Sequence, residues 1–391
     1  MKDGERAHEV ARAFHERFGA VPEVFSAPGR VNLIGEHTDY NAGFALPIAI
    51  AERAYVAGAR RGDRTVRCYS HELGKERSFV LAHAWQRRGD FGDYVEGVAR
   101  TLESRGVVLA GADLYVSSDV PLGAGLSSSA ALELATALAL TTLAGAELPP
   151  RELALVGQSA ENDYAGVRSG VMDQLASALG RAGHALFIDC RSLEVTPVPL
   201  PKSGVSFVVC DTGVRHAHAS SGYNERRDEC GRALELLRRG GRPVTSLREV
   251  GIEELNDLGA LLPEPLDRRV RHVVRENART SAAVDALRRG HLAAFGRLMN
   301  GSHASLRDDY EVSAPELDFV VAQAQREPGV VGARMTGGGF GGSAVVLVDA
   351  ADVTRLSENL RRTFRARFGH DPVVRVAVPS DGVRRETTPQ A

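Results

Sequence analysis

Apolar residues recur at helical spacing at the start of the chain. Val10, Phe14 and Phe18 share one face of a helix predicted over residues 5–18, and Gly19 ends it. At residues 30–34 the period drops to two. Val31 and Leu33 share one side of a short strand and Arg30 and Asn32 the other, a side expected to stay wet. Gly35 stops that strand. Further strands are predicted at 55–59, 65–70 and 113–117, with a turn at 61–64 between the first two and a helix at 91–103. Residues 130–144 are apolar nearly all round, which predicts a buried helix. Helices follow at 151–164 and 171–179. Strands then alternate with turns carrying Pro197, Pro199 and Pro201, and a domain boundary is expected there, giving domains 1–196 and 197–391. The remainder is helix-rich, at 266–289, 291–307, 315–326 and 352–368, with an apolar strand at 344–348. The last dozen residues are polar and are expected to fray.

Two stretches depart from these patterns. Arg30, Asn32, Glu36, His37, Thr38, Asp39, Tyr40 and Asn41 fall within twelve positions. Such a mixture suits a sugar, because each hydroxyl both donates and accepts, and charged groups hold it by charge-assisted bonds. A polar surface turn is the plain alternative. The length of the run, hung on a strand that begins with Arg, argues against it. A metal site on Glu36, His37 and Asp39 ranks low, since adjacent residues are seldom all available to one ion. The second stretch, PLGAGLSSS at 121–129, runs from a strand through Gly123 and Gly125 to three serines and then into the apolar helix. Glycines let the backbone approach a ligand closely, free N–H groups point outward and the helix dipole favours negative charge, so this is an anion site. It carries no Walker A lysine, and Ser128 takes the place of the third glycine of GxGxxG. A serine N-cap behind a glycine turn is the other reading.

Composition narrows the classes. The chain has 391 residues, 43% hydrophobic and 25% charged, which suits about two soluble domains. A formal net charge of −2 offers no field for nucleic acid or an anionic membrane. Cys68, Cys190, Cys210 and Cys230 form no CxxC pair and fit buried thiols in a reducing cytosol. The first residues read as a charged amphipathic helix, not an apolar leader. The run at 130–144 is too short for a membrane span and contains Glu133. His216 and His218, two apart, make a weak metal reading.

The segment GRVNLIGEHTDYNAGFALP at 29–47 resembles the galactokinase signature, within the GHMP superfamily of small-molecule kinases. Residues 121–133 resemble the second GHMP motif, and RMTGGGFGGS at 334–343 the third. ENDYAGVRSGVMDQ at 161–174 is similar to the galactokinase segment that carries a metal ligand and the catalytic aspartate. Residues 305–313 and 315–318 also look familial. The resemblance spans roughly residues 22–349. It implies a two-domain α+β GHMP kinase fold, with the active site in the cleft between mixed sheet/helix domains.

By the same resemblance the chain would transfer the ATP γ-phosphate to the C1 hydroxyl of α-D-galactose. Asp173 would accept the proton and Arg30 would stabilise the complex. Glu36, His37, Thr38 and Asp39 would hold the sugar, with the Gly170 backbone and Tyr223. Gly123, Ala124, Gly125, Leu126, Ser127, Ser128 and Ser129 would cradle the nucleotide, which Ser70 would also touch. Ser129 and Glu161 would hold Mg²⁺. Ser169 and Ser343 stand where cysteine is frequent in the family. Ser169 is expected to alter packing beside the sugar, and Ser343 to have little effect. A helix start and a nearby Arg both favour the ionised form of Asp173, which makes it a weak base at rest. The proton would then leave late in phosphoryl transfer, or Asp173 would only orient the hydroxyl. A kinase for N-acetylgalactosamine or arabinose is one alternative, and a non-catalytic galactose and ATP sensor another. The intact Ser127–Ala131 run, with Arg30 and Asp173 both present, argues against the sensor. A dehydrogenase fails for want of GxGxxG. Galactose and ATP are the expected partners and the cytoplasm the expected location, with no nucleic acid, membrane or obligate protein partner.

Overall fold

The structure is a computed structural model that describes residues 3–215 and 219–387. His216, His218 and the last four residues lie outside the described residues. The chain begins α1 (Asp3–Phe18), β1 (Glu23–Asn32), β2 (Phe44–Ala45), β3 (Pro47–Arg60), β4 (Thr65–Ser70), β5 (Lys75–Val80) and α2 (Gly92–Ser104). It continues β6 (Ala112–Ser118), α3 (Ser128–Leu143), α4 (Pro150–Ala160), α5 (Met172–Leu179), β7 (His184–Asp189) and β8 (Glu194–Pro199). The second half runs β9 (Val205–Arg215), α6 (Ala219–Arg239), α7 (Leu266–Arg288), α8 (Leu292–Asp308) and α9 (Pro315–Ala324). It ends β10 (Val330–Thr336), β11 (Gly341–Asp349), α10 (Val353–Phe368), β12 (Val373–Ala377) and β13 (Arg384–Arg385).

Three sheets result. The largest has the order β13-β1-β3-β6-β4-β5, the second β10-β11-β9-β12, the third β2-β7-β8. The large sheet packs α3 against β1 and β3 on one side. On its other side α1 sets Ala7, Val10 and Phe14 against Tyr55, Ala57 and Tyr115. Helix α3, apolar all round, lies between that sheet and the helices α2, α4 and α5, as its sequence demands. One apolar cluster joins the two large sheets. Val31, Leu33 and Ile48 meet Phe207, Val209, Val345 and Leu347 in it, with Phe295 of α8. The cleft thus sits on a continuous core.

The structure departs from the sequence pattern at several points. The strand expected at 30–34 is the end of the longer β1. Leu33 and Ile34 continue it only through main-chain bonds to Leu46, of 3.1 and 2.9 Å. Its supposed wet side is dry, for Arg30 and Asn32 are both buried. Strand β10 covers Asn32, whereas Arg30 faces the cleft described below: Arg334 Nη1 donates to the Asn32 carbonyl at 3.0 Å, and Thr336 Oγ1 donates to the same oxygen at 3.0 Å. Strand β3 spans 14 residues where only 55–59 read as strand, because residues 47–50 are buried on both faces and show no alternation. The helix expected to reach 164 ends as α at Ala160 and continues as one π turn, Glu161–Ala165, which Gly166 closes at φ 77°. Of the last dozen residues expected to fray, the described ones, 380–387, include a pinned stretch. β13 pairs with β1, and the buried Arg53 guanidinium donates to the Asp381 carbonyl at 2.8 Å and the Gly382 carbonyl at 2.7 Å. The expected boundary near residue 197 falls within β8, yet residues 379–385 return to the first half.

Candidate active site

Five pieces converge on one open cleft of about 240 Å³. They are the loop after β1, the glycine loop opening α3, the π turn with the start of α5, Tyr223 of α6, and the glycine hairpin between β10 and β11. Arg30, Glu36, His37, Asp39, Gly123, Gly125, Ser127, Ser128, Ser129, Glu161, Asp173 and Tyr223 all face it. Thr38, Gly170, Ala124 and Leu126 do not line it, and Ser70 lies in a neighbouring pocket.

Arg30 and Asp173 form its floor. Arg30 Nε donates to Asp173 Oδ1 and Nη2 to Oδ2, each at 2.7 Å, a two-pronged fork that fixes both side chains. The third guanidinium nitrogen donates to the Gly125 carbonyl at 2.6 Å, tying the fork to the glycine loop. Ser127, expected on the nucleotide, donates its hydroxyl to Asp173 Oδ2 at 2.6 Å.

Glu36 is held from every side. Asn32 Nδ2 donates to its Oε2 at 2.7 Å, Arg334 Nη2 lies 2.9 Å from the same oxygen, and the Gly337 amide donates to Oε1 at 2.7 Å. Burial raises its pKa against the pull of Arg334 and Arg30. Behind it Glu276, wholly buried on α7, accepts the Gly35 amide at 3.0 Å. His37 has its pKa pushed down to about 3, mainly by burial, so it is neutral. Its Nε2 carries the proton to the Gly338 carbonyl at 3.2 Å, and its Nδ1 accepts from the Tyr40 hydroxyl at 2.7 Å. Both ring nitrogens are thus engaged by protein, which leaves the imidazole its ring face for a sugar. That ring packs 5.3 Å from Tyr223, centroid to centroid, and the two build an aromatic wall. Thr38 corrects its expected role. It is fully buried, and its hydroxyl meets the carbonyls of Gly35 and Phe44 at 2.9 and 2.7 Å, so it shapes the loop instead of touching ligand. Asp39 has its pKa pushed up to about 7, first by burial and next by Asp173. Gly170 backs it: a Cβ there would fall 2.1 Å from Asp39 Oδ2, so only glycine admits that carboxylate.

Around Glu161 the cleft is acidic. Ser129 donates to Glu161 Oε1 at 2.8 Å, and Ser169 donates to Oε2. Serine at 169 therefore does more than alter packing. Gln174, which sequence reasoning passed over, lends one amide nitrogen to both Glu161 Oε2 at 3.0 Å and Glu133 Oε2 at 2.9 Å. Burial raises the Glu161 pKa, and its side-chain partners Ser129, Ser169 and Gln174 are all neutral. A buried carboxylate without a cation, beside a serine hydroxyl and facing a phosphate cradle, is a hard-oxygen donor set that fits Mg²⁺. No group of three or more His, Cys, Asp or Glu among the described residues makes a metal cluster by itself, so phosphate oxygens and water would complete the coordination.

Glu133 gives a test of this electrostatic reading. It is fully buried, its Oε1 has no hydrogen-bond partner, and burial then Glu161 raise its pKa well above the usual value. A carboxyl whose folded pKa lies above its unfolded value loses stability as pH rises from about 4.5. Glu133→Gln is expected to stabilise the chain on the order of 1–3 kcal/mol at pH 8 and to do nothing at pH 4.5. Urea midpoints at both pH values check it, and a gain that ignores pH contradicts it.

Ala124 and Leu126 serve the loop from behind. Ser343 Oγ donates to the Ala124 carbonyl at 2.7 Å, and Leu126 is buried in the core that joins the sheets. Ser343, expected to matter little, thus braces the glycine loop from the third motif. Ser70 faces a smaller apolar pocket with Phe91, Val116, Leu122 and Leu132, which shares Ser128 with the main cleft. Sequence reasoning also missed Arg215. A Cβ on Gly123, which has φ 69°, would fall 2.8 Å from its Nε, so this guanidinium borders the glycine loop. Arg334 and Gln174 left no local signal, because each acts on a partner far away in sequence.

Comparison with known proteins fits this geometry. A galactokinase galactose-binding signature matches residues 12–60, and the N- and C-terminal GHMP kinase domains match 93–181 and 283–366. The galactokinase of Roseiflexus sp. (strain RS-1) is 46% identical over 378 residues, 96% of each chain. That of Chloroflexus aggregans is 49% identical over 362 residues, 92% of this chain and 93% of the other. The crystal structure of Lactococcus lactis galactokinase complexed with galactose superposes with TM-score 0.93 at 37% identity, covering 96% of this chain and 99% of that one. Methanococcus jannaschii mevalonate kinase shares the fold, with TM-score 0.66 at 19% identity, covering 93% and 99%. Fold and cleft are those of a GHMP kinase, an α+β enzyme that phosphorylates a small molecule with ATP. Within that superfamily the chain belongs to the galactokinase family. Among the described residues no helix is long and apolar enough to cross a membrane.

Proposed function

We propose that this chain transfers the γ-phosphoryl group of ATP to the C1 hydroxyl of α-D-galactose, giving galactose 1-phosphate and ADP. The observation that carries the reading is the Arg30–Asp173 fork, set between the polar loop of Glu36 and Asp39 and the glycine loop of α3. Asp39 and Glu36 would accept sugar hydroxyls. His37 and Tyr223 would pack against the apolar face of the ring, and the Gly170 backbone would complete the pocket. The glycine loop would receive the phosphates at the α3 N-terminus, where backbone donors and helix dipole favour anions. Ser128 bridges to the apolar pocket that would take the adenine, with Ser70 at its edge. Arg215, held by Asp211 in a two-pronged ion pair, would border the phosphates beside Gly123.

Ser129 and Glu161 would hold Mg²⁺, which when bound neutralises charge on the β- and γ-phosphates. Asp173 would receive the C1 proton. Its fork with Arg30 holds the carboxyl in place for a proton that leaves late in a loose phosphoryl transfer. We place the enzyme in the cytosol, in keeping with four cysteines that form no disulfide.

The test is ADP release from the purified chain with Mg·ATP and, in turn, galactose, glucose, N-acetylgalactosamine, arabinose and no sugar. Turnover is expected with galactose and to exceed that with each of the others. Preference for another sugar would reassign the substrate, and turnover independent of sugar would remove the reading.

A further inference from the structure

The second GHMP motif presents three consecutive serines, and the structure separates their tasks. Ser128 lines both pockets and Ser129 meets Glu161, whereas Ser127 turns toward Asp173. Ser127 stands at the N-cap position of α3 yet makes no side-chain capping bond, so its hydroxyl does not serve its own helix. It has φ 58° and ψ 49°, a left-handed conformation unfavourable for a residue with a Cβ. Glycine would fit the backbone better. What serine adds at this point is the hydroxyl, and the hydroxyl lies 2.6 Å from Asp173 Oδ2, the length of a charge-assisted O–H···O bond.

Resting on the reaction proposed above, we infer that Ser127 is a positioning residue that fixes which oxygen of Asp173 meets the sugar. An ionised carboxylate offers about four lone-pair sites. Arg30 Nε occupies one on Oδ1, and Arg30 Nη2 and Ser127 together fill Oδ2. One site remains, on Oδ1, and there the C1 hydroxyl donates and leaves its proton. Because the same residue opens the phosphate-binding helix, the position of the acceptor oxygen is set by the loop that receives the nucleotide.

The experiment compares Ser127→Ala and Ser127→Gly with the wild-type full chain, measuring kcat and both KM values. Both variants are expected to lose about 10- to 100-fold in kcat, the loss of one hydrogen bond to a charged group. Both KM values should stay within about threefold, so that the loss falls on kcat alone. A raised KM for ATP with kcat intact would make Ser127 a phosphate ligand and overturn the inference. So would wild-type kcat in Ser127→Gly, which relieves the backbone and keeps the helix start. Asp173→Asn is assayed alongside. If it turns over normally, the proposed chemistry itself fails. If it is dead while both Ser127 variants are unimpaired, only the role of Ser127 fails.

Discussion

Asp173→Asn is expected to keep the fold and to lose about a thousandfold or more in kcat, the upper part of what a general base contributes. The amide has the shape of the carboxylate but not its pattern of acceptors. Asp173 receives Arg30 on both oxygens and Ser127 on one. An asparagine must turn its NH₂ toward one prong of that fork, where two donors then face each other. One arm of the fork is lost, at about 1–2 kcal/mol of stability. The other arm and the Gly125 carbonyl still hold Arg30. The variant should therefore melt only slightly early while losing nearly all turnover, and that disproportion is the signature of a chemical role. Circular dichroism melts and initial rates on the same preparation separate the two effects. Turnover within tenfold of wild type would show that Asp173 orients the hydroxyl without accepting its proton.

Arg334→Met carries the second large effect, and it acts across the two halves of the chain. Arg334 is fully buried on β10, with Nη2 at 2.9 Å from Glu36 Oε2. Removing the cation strands a buried carboxylate, which costs about 3–5 kcal/mol. Burial already raises the Glu36 pKa, and loss of Arg334 would push the group further toward its neutral form. A neutral Glu36 accepts sugar hydroxyls poorly, so the KM for sugar should rise about tenfold or more. Pairing Arg334→Met with Glu36→Gln should restore most of the stability and none of the sugar affinity. A single variant that melts normally would show that Asn32 and Gly337 suffice to hold Glu36.

The sequence made part of the cleft legible because many of its lining residues are clustered in short runs. Glu36 and Asp39 fell in a polar run and the glycine loop in another, whereas Asp173 stood out only through the family resemblance. Amphipathic helices such as α1 were legible for a similar reason, since one face is apolar and the other wet. Elements buried on both faces gave no such contrast. β3 lost its alternation, and Asn32 of β1 looked solvent-facing only because β10 is 300 residues downstream. The supports of the site were hidden for the same cause. Nothing near Arg334 announces Glu36, and nothing near Gln174 announces Glu133. Thr38 misled in the opposite way. It sits in the middle of the polar run and spends its hydroxyl on two carbonyls of its own loop.

The return of the C-terminal segment bears on how the chain matures during synthesis. Arg53 lies in the middle of the large sheet at 1% exposure, and residues 380–382 supply three of its hydrogen bonds. β1, an inner strand of the finished sheet, meets its outer neighbour only at residues 384–385. While a ribosome is still extending the chain, the Arg53 guanidinium has Ser26 but not residues 380–382 to donate to, and β1 has one side open. The first half then lacks contacts that an independent domain holds within itself. Folding of the nucleotide-binding half is therefore completed after translation has reached the final residues of the described chain.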